Sequence, residues 1–321
     1  MQWRAPVAQD ASAVLELIVA RDMADFGVPD YTLEDLREEW QSADIELATD
    51  AVVIEDAGRL VGYGILRRCE TLVVVRPDDE GRGLGAKLLA WAQRAERERG
   101  RDRHRQRIPS SNPRARQLLA AAGYKRRRSY WRMVRVLDDP VETVPPPAGM
   151  RLRGVDVESD ATTLHELDGL SFNDNADYEA ASPAQFRSDH LGAHDLAPSL
   201  SRVAEAGDAT VGFLLTRRWE AESVGYVDAL AVHPSHRRRG LAAAMLSSAF
   251  AAYADAGLRE AQLGVASDNP RALALYERVG MTPAFRIDAY ERPIDDRPPA
   301  SGGAFWLGEA DQKTAREHPA S

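Results

Sequence analysis

A single cysteine, Cys69, in 321 residues excludes an intrachain disulfide and any cluster of thiolate metal ligands, and it points to a reducing compartment. No apolar run approaches the ~18 residues of a membrane span. The opening MQWRAPVAQD also lacks the apolar core of a signal peptide, so a cytoplasmic protein without a membrane partner is expected. A basic excess is missing too: 41 Lys and Arg stand against 50 Asp and Glu, a formal charge of −9. A general nucleic-acid binder carries the opposite sign, so that class is set aside, while an acidic balance suits a cationic small-molecule partner. What the chain has in plenty is length, enough for two domains with ordinary cores.

Two stretches echo each other. VVVRPDDEGRGLGAKLLAWA (73–92) resembles LAVHPSHRRRGLAAAMLSSA (230–249), with Gly83 opposite Gly240, an offset of 240 − 83 = 157. SNPRARQLLAAAGY (111–124) faces DNPRALALYERVGM (268–281), and 269 − 112 is again 157. Two motifs sharing one offset this long indicate a duplicated domain rather than a solenoid of ~20–50-residue repeats. The proline-rich DDPVETVPPPAGM (138–150) reads as the connection. The expected organisation is a first domain over 1–139, a linker over 140–149, a second domain over 150–295 and a mobile tail over 296–321. That tail is polar apart from Phe305, Trp306 and Leu307. Within the second half, strands are expected at 151–155, 200–206, 209–219, 224–232, 259–266 and 284–292. Helices are expected at 160–170, 183–191, 239–256 and 270–279, which implies an α/β domain with a mixed sheet, made twice.

The run Arg237, Arg238, Arg239, Gly240, Leu241, Ala242 stands between an apolar strand and a helix. A helix start offers unpaired N–H groups and partial positive charge, and Gly240 admits close approach of a phosphate. The spacing is not that of a Walker loop. A solvated basic helix start is the plainer alternative, and repetition at a fixed offset favours the phosphate site over it. In the second motif Asn269 caps a helix and Pro270 fits its first position. Ala272, Leu275, Tyr276 and Val279 then share one face. Tyr276 is either a core aromatic or, with an ordinary phenol pKa of ~10, a proton donor to a leaving thiolate.

The order strand, R-x-x-G-x-A, helix, strand, N-P-x-A-x-x-L-Y, G-M, strand resembles the GNAT superfamily of acetyl-CoA-dependent N-acetyltransferases, and the pairing of two such units resembles its tandem, two-domain members. The resemblance implies two GNAT-like domains, each a mixed, mostly antiparallel sheet flanked by helices, with acetyl-CoA as cosubstrate and no metal. It implies that Leu230, Ala231 and Val232 present backbone to the pantetheine arm and that Arg237, Arg238, Arg239, Gly240, Leu241 and Ala242 cradle the pyrophosphate. Asn269 would lie beside the cofactor arm and Tyr276 would protonate the departing thiolate. Asp228, four residues before Val232 and therefore expected on the same strand face, is the candidate base. Tyr226 occupies the alternative position for a carboxylate. The N–H of Leu230 would stabilise the developing oxyanion.

At the matching positions of the first half, Glu80 replaces Arg237, Thr71 replaces Asp228 and Leu119 replaces Tyr276. That half reads as a degenerate GNAT domain, either structural or one that still binds CoA. The expected reaction is transfer of an acetyl group to a primary amine of a small molecule, by direct attack in a ternary complex in the C-terminal domain. An aminoglycoside-like antibiotic, a mycothiol precursor and a protein N-terminus are alternative acceptors, and a non-catalytic acyl-CoA sensor is the alternative from another class. Asp174, Asp177, Glu179, Glu220 and Glu222 on loops suit a cationic acceptor. His190 and His194, four apart, lack a third ligand and carry no metal expectation.

Overall fold

The computed structural model describes residues 1–138, 140–173, 178 and 180–294. The expected tail and the acidic Asp174, Asp177 and Glu179 lie outside the described residues. The first repeat runs β1 (Gln2–Arg4), α1 (Ala11–Asp25), α2 (Leu33–Gln41), α3 (Leu47–Asp50), β2 (Ala51–Asp56), β3 (Arg59–Leu66), β4 (Thr71–Val75), α4 (Leu84–Glu98), β5 (Arg103–Pro109), α5 (Pro113–Ala121) and β6 (Lys125–Val136). The second runs β7 (Met150–Arg153), α6 (Val157–Phe172), α7 (Pro183–Phe186), a single π-type turn (Arg187–Leu191), β8 (Arg202–Ala206), β9 (Ala209–Trp219), β10 (Val224–Val232), α8 (Leu241–Asp255), β11 (Glu260–Ala266), α9 (Pro270–Arg278) and β12 (Thr282–Pro293). Each repeat is thus a mixed α/β unit; the element order of the second is the one read from the sequence, and the first adds the short α3 before β2.

Compact units and sequence repeats do not coincide. One unit holds Met1–Arg107, Gln117–Lys125 and the chain from Glu291; the other holds Ile108–Arg116 and Arg126–Tyr290. The strand β6, which closes the first repeat, therefore lies in the second unit. It pairs antiparallel with β11 from Glu260↔Val136 to Ala266↔Tyr130 and stands between β11 and β12. In return the end of β12 belongs to the first unit, where Ile294 N–H donates to Asp102 O at 2.8 Å and Glu291 pairs with Arg103 at 2.7 Å. The linker is not a free tether: Val144 N–H donates to Ser247 Oγ of α8 at 2.9 Å, and Val141 packs on the same core.

In the second unit the antiparallel strands β7, β8, β9 and β10 follow one another, and β11 joins β10 in parallel. One face packs against α8 through Met245, Leu246, Phe250 and Tyr253, all fully buried, and the other against α6 and α7 through Leu164, Leu167 and Phe186. Burial of each such side chain is worth roughly 1.5–3 kcal/mol, enough to hold β10 rigidly between the two layers. In the first unit β1, β2, β3 and β4 form a four-stranded antiparallel sheet that ends at β4. Its faces pack on α1 and α2 (Val14, Leu17, Leu36) and on α4 (Leu84, Leu88). Among the described residues, no helix is long and apolar enough to cross a membrane.

Candidate active site

The site begins with a strand that parts from its neighbour. The β10–β11 ladder runs from Val224↔Glu260 to Val227↔Leu263 and stops, although β10 continues to Val232 and β11 to Ala266. On its other side β10 stays paired with β9 as far as Val232↔Gly212. His233 N–H donates to Val211 O at 2.9 Å, so the alternation of an antiparallel ladder turns the N–H groups of residues 231 and 233 toward β9. The N–H groups of Leu230 and Val232 consequently face the gap left by β11. This is the polar edge that the sequence reading assigned to the pantetheine arm.

A bulge sits at the parting point. The register shifts between Val227↔Thr216 and Ala229↔Leu215, leaving Asp228 as the extra residue. The expectation that Asp228 and Val232 share a face is corrected by this bulge. Val227, Leu230 and Val232 pack toward α8, Ala229 and Ala231 toward α6, and Asp228 meets His190 and Arg217. One inserted residue breaks the period of two that the argument relied on.

Asp228 is heavily engaged. Its Oδ2 lies 2.6 Å from His190 Nδ1, and its Oδ1 accepts from Arg217 Nε at 3.0 Å. Arg217 is itself fixed by Asp195 Oδ1 at 3.0 Å and by the carbonyl of Asp189 at 2.5 Å. Burial pushes the Asp228 carboxyl up, but the hydrogen bond from His190 and the Arg217 charge outweigh it and hold the group below the ordinary carboxylate range. For His190 burial works downward, and the Asp228 contact with the charges of Asp228 and Asp168 prevails, so the imidazole sits above its ordinary value. Asp168, on α6, is raised chiefly by burial and accepts from Tyr178 Oη at 2.9 Å. His190 went unrecognised in the sequence except for its spacing to His194, which carried no metal expectation. The helical spacing to His194 does not arise, because the turn ends at Leu191.

Around Tyr226 the same sheet face carries an aromatic stack. Tyr226 lies nearly parallel to Trp219, with centroids 4.6 Å apart and planes at 12°. The Arg132 guanidinium stands 4.9 Å from the Tyr226 ring, 5.4 Å from Trp219 and 5.4 Å from Phe285. Arg132 comes from the exchanged strand β6, so the first repeat contributes a side chain to the second unit's sheet face. Tyr276, on α9, is half-buried; burial, then the neighbouring Tyr226 phenol, push its hydroxyl up to about 12. It is therefore protonated at neutral pH, and among the described residues its hydroxyl makes no hydrogen bond.

The basic turn is shaped as an anion nest. Arg238 has φ +63° and Gly240, which precedes α8, has φ +90°. Alternating left- and right-handed residues turn successive N–H groups to one side, and the first amides of α8 add theirs. A Cβ on Gly240 would meet nothing within 4 Å, so the approach is open. A left-handed non-glycine costs roughly 1–2 kcal/mol, so Arg238 is held there at a penalty. Arg239 is exposed, Leu241 is a core residue and Ala242 is half-buried. Arg237 donates to Val232 O at 3.1 Å and Ser171 O at 2.8 Å, tying the nest to the end of β10. Asn269 caps α9, its Oδ1 accepting from Ala272 N–H at 3.1 Å. Glu220 pairs with Arg218 at 2.7 Å on the loop after β9.

Comparison with known proteins agrees with this construction. The acetyltransferase (GNAT) family profile matches residues 163–281, and a GNAT-domain profile matches residues 48–126. A mycothiol acetyltransferase of Thermomonospora curvata is 30% identical over 223 residues, 69% of this chain and 73% of its own length. One from Thermobispora bispora is 29% identical over 239 residues, 72% of this chain and 79% of its own. The crystal structure of a GCN5-related N-acetyltransferase from Sphaerobacter thermophilus superposes with a TM-score of 0.76 at 27% identity, covering 92% of this chain and 96% of that one. Two profile matches, one on each repeat, together with these relatives, place the chain in the GNAT family as a tandem N-acetyltransferase.

Proposed function

We propose that the second unit transfers the acetyl group of acetyl-CoA to a primary amine of a small molecule, by direct attack in a ternary complex. The observation that carries this reading is the parting of β10 from β11, which frees the N–H groups of Leu230 and Val232 beside the nest at Arg238 and Gly240. The donor fits these residues: an extended amide-bearing arm matches free strand N–H groups, and a pyrophosphate matches a helix start with three arginines. Acetyl-CoA supplies the activated acyl carbon. The amide edge of Leu230, Ala231 and Val232 orients the arm, with the Leu230 N–H aimed at the carbonyl oxygen as negative charge grows on it. The nest holds the phosphates. Tyr276 Oη, kept protonated by burial, gives its proton to the departing sulfur. Asn269 positions α9, and with it Tyr276, through its cap. The acetyl carbon bonds to the amine nitrogen as its bond to sulfur breaks, and the proton released by the amine leaves on the Asp228 side of the strand.

Among acceptors, the mycothiol acetyltransferase relatives favour a mycothiol precursor as the first amine to test. The test is thiol release from acetyl-CoA in a Cys69→Ser background, across mycothiol precursor, aminoglycosides, polyamines and short peptides. Turnover with one class identifies the acceptor. Absence of acetyl-CoA binding to the intact chain overturns the proposal.

A further inference from the structure

We propose that His190, rather than Asp228, takes the proton from the acceptor amine, and that Asp228 acts through it as a positioning residue; this rests on the amine acetylation proposed above. The geometry separates the two roles. Both carboxylate oxygens of Asp228 already accept hydrogen bonds, Oδ2 from His190 Nδ1 and Oδ1 from Arg217 Nε. A carboxylate saturated by a cation and an imidazole has little proton affinity to offer a substrate. His190 has what Asp228 lacks. With Nδ1–H committed to Asp228, the lone pair of the neutral ring resides on Nε2. Among the described residues nothing else hydrogen-bonds to the ring, and the side chain is 28% exposed against 15% for Asp228.

The ring is also held in place. Phe186 lies against it with centroids 4.9 Å apart, and Asp228 fixes its rotation. His190 stands on the π-type turn Arg187–Leu191, an irregularity of a kind that frequently marks functional sites. Its partner Asp228 is the bulged residue at the parting of β10 from β11, two positions before the Leu230 N–H. Proton acceptor and oxyanion donor are thus both set by one strand segment. The groups acting on the ring are Asp228 from β10, Asp168 from α6 and Arg217 from β9, with the titratable His165 of α6 against Phe186 and Asp189 on its own turn. His165 is committed through Nε2 to the carbonyl of Ala181 at 2.8 Å, and Asp189 faces Gln185 at 3.2 Å. Asp168 and Asp228 favour the imidazolium, and Arg217 opposes it.

The step balances without any further reactant. As nitrogen bonds to the acyl carbon, one proton passes from nitrogen to His190 Nε2, and one passes from Tyr276 Oη to sulfur. Solvent then returns the tyrosine proton and removes the imidazolium one.

The test is kcat/KM from about pH 5.5 to about pH 9.5 with the amine that turns over, for wild type, His190→Gln and Asp228→Asn. Acetyl-CoA affinity serves as the folding control. The wild type should show a low-pH limb lying above the ordinary histidine value. His190→Gln should lose roughly 10²–10⁴-fold in rate and lose that limb. Asp228→Asn should retain the limb but shift it to lower pH, which a merely structural role would not do. In case the glutamine variant misfolds, nitrogen NMR of the wild-type ring with acetyl-CoA bound provides a second reading. A ring that loses a proton over the range of the kinetic limb supports the assignment, and one that stays doubly protonated across it overturns it. A His190→Gln protein with near-wild-type rate and an unchanged limb also overturns the assignment, while leaving amine acetylation standing. Wild-type protein that releases no thiol with any amine overturns both.

Discussion

The same turn is built twice in this chain and furnished differently each time. In the first unit Gly81 has φ +78° and Gly83, which precedes α4, has φ +76°. In the second unit the matching Arg238 and Gly240 have φ +63° and +90°. The backbone has kept the shape of an anion nest in both. Its chemistry has not. In the first unit Arg82 is spent on Asp56 at 2.6 Å and on Asp79, and Glu80 pairs with Arg21 at 2.5 Å. A Cβ on Gly85, at the start of α4, would meet Leu118 Cδ2 at 2.8 Å, so a leucine of α5 already fills the space beside that helix start. Thr71, at the Asp228 position, donates to Glu96 at 3.0 Å inside the core, and Leu119, at the Tyr276 position, is buried. Folding requires the turn, whereas binding requires that its positive groups be left free. In the second unit Arg237 is spent on two backbone carbonyls, while Arg238 and Arg239 form no ion pair among the described residues.

The largest effect expected from breaking this contrast is at Tyr276. Tyr276→Phe removes the proton donor and little packing, so kcat should fall by roughly 10²–10⁴-fold with acetyl-CoA affinity nearly unchanged. Its counterpart change, Leu119→Ala, should leave turnover per folded molecule intact and cost roughly 2–5 kcal/mol of stability in the first unit. Steady-state kinetics beside thermal melts read both. A Tyr276→Phe protein with undiminished kcat would assign the hydroxyl to packing.

Two histidines, one fully buried and one half-buried, sharpen the comparison through pH. His104, on β5, is fully buried in the first unit and hydrogen-bonded to Tyr124 Oη, with Gln106 Nε2 at 3.2 Å. Burial, reinforced by the Arg292 charge, pulls it down to about 4. The unfolded chain binds that proton near pH 6.5, so this contribution to stability is present above pH 6.5 and is lost as pH falls toward 4. The loss is on the order of 3 kcal/mol. His190 is shifted the other way, so its contribution is complete below pH 6.5 and disappears as pH rises through its folded value. Acidification from neutrality should therefore loosen the first unit and spare the second. Hydrogen exchange resolved onto Arg103–Arg107 of β5 and onto β2 and β3, against β10 and the Arg187–Leu191 turn, checks this; equal loosening of both would contradict it.

What could be read from the sequence was whatever is local or repeated. Asn269 before Pro270 announced a capped helix, and both Asn269 and its counterpart Asn112 cap theirs, the latter accepting from Ala115 N–H at 2.9 Å. The offset of 157 carried the two glycine turns, and their left-handed residues fall at matching positions. Hidden from the sequence was whatever joins distant residues or violates a period. His190 and Asp228 are 38 positions apart, and no spacing rule links a helical turn to a strand bulge. The bulge itself changes the face of Asp228 without leaving a glycine or proline to mark it. The exchange of β6 was illegible for a similar reason: KRRRSYWRMVRV reads as a strand in either unit, and only the partner strand decides where it lies.

The smallest expected effect separates folding from binding most cleanly. Gly83→Ala and Gly240→Ala both place a Cβ on a left-handed residue with nothing within 4 Å, so neither clashes and both carry only backbone strain. Each should cost about 1 kcal/mol of stability, a penalty the second unit already bears at Arg238. In acetyl-CoA affinity the two should diverge. A methyl at Gly240 stands where the phosphates approach the amides of α8 and should weaken binding several-fold, whereas a methyl at Gly83 meets a turn whose arginine is already paired and should leave affinity unchanged. Calorimetric titration of the two variants checks this. A matching loss of affinity in Gly83→Ala would mean that the first unit holds the donor as well, and the contrast between free and neutralised nests would have to be abandoned.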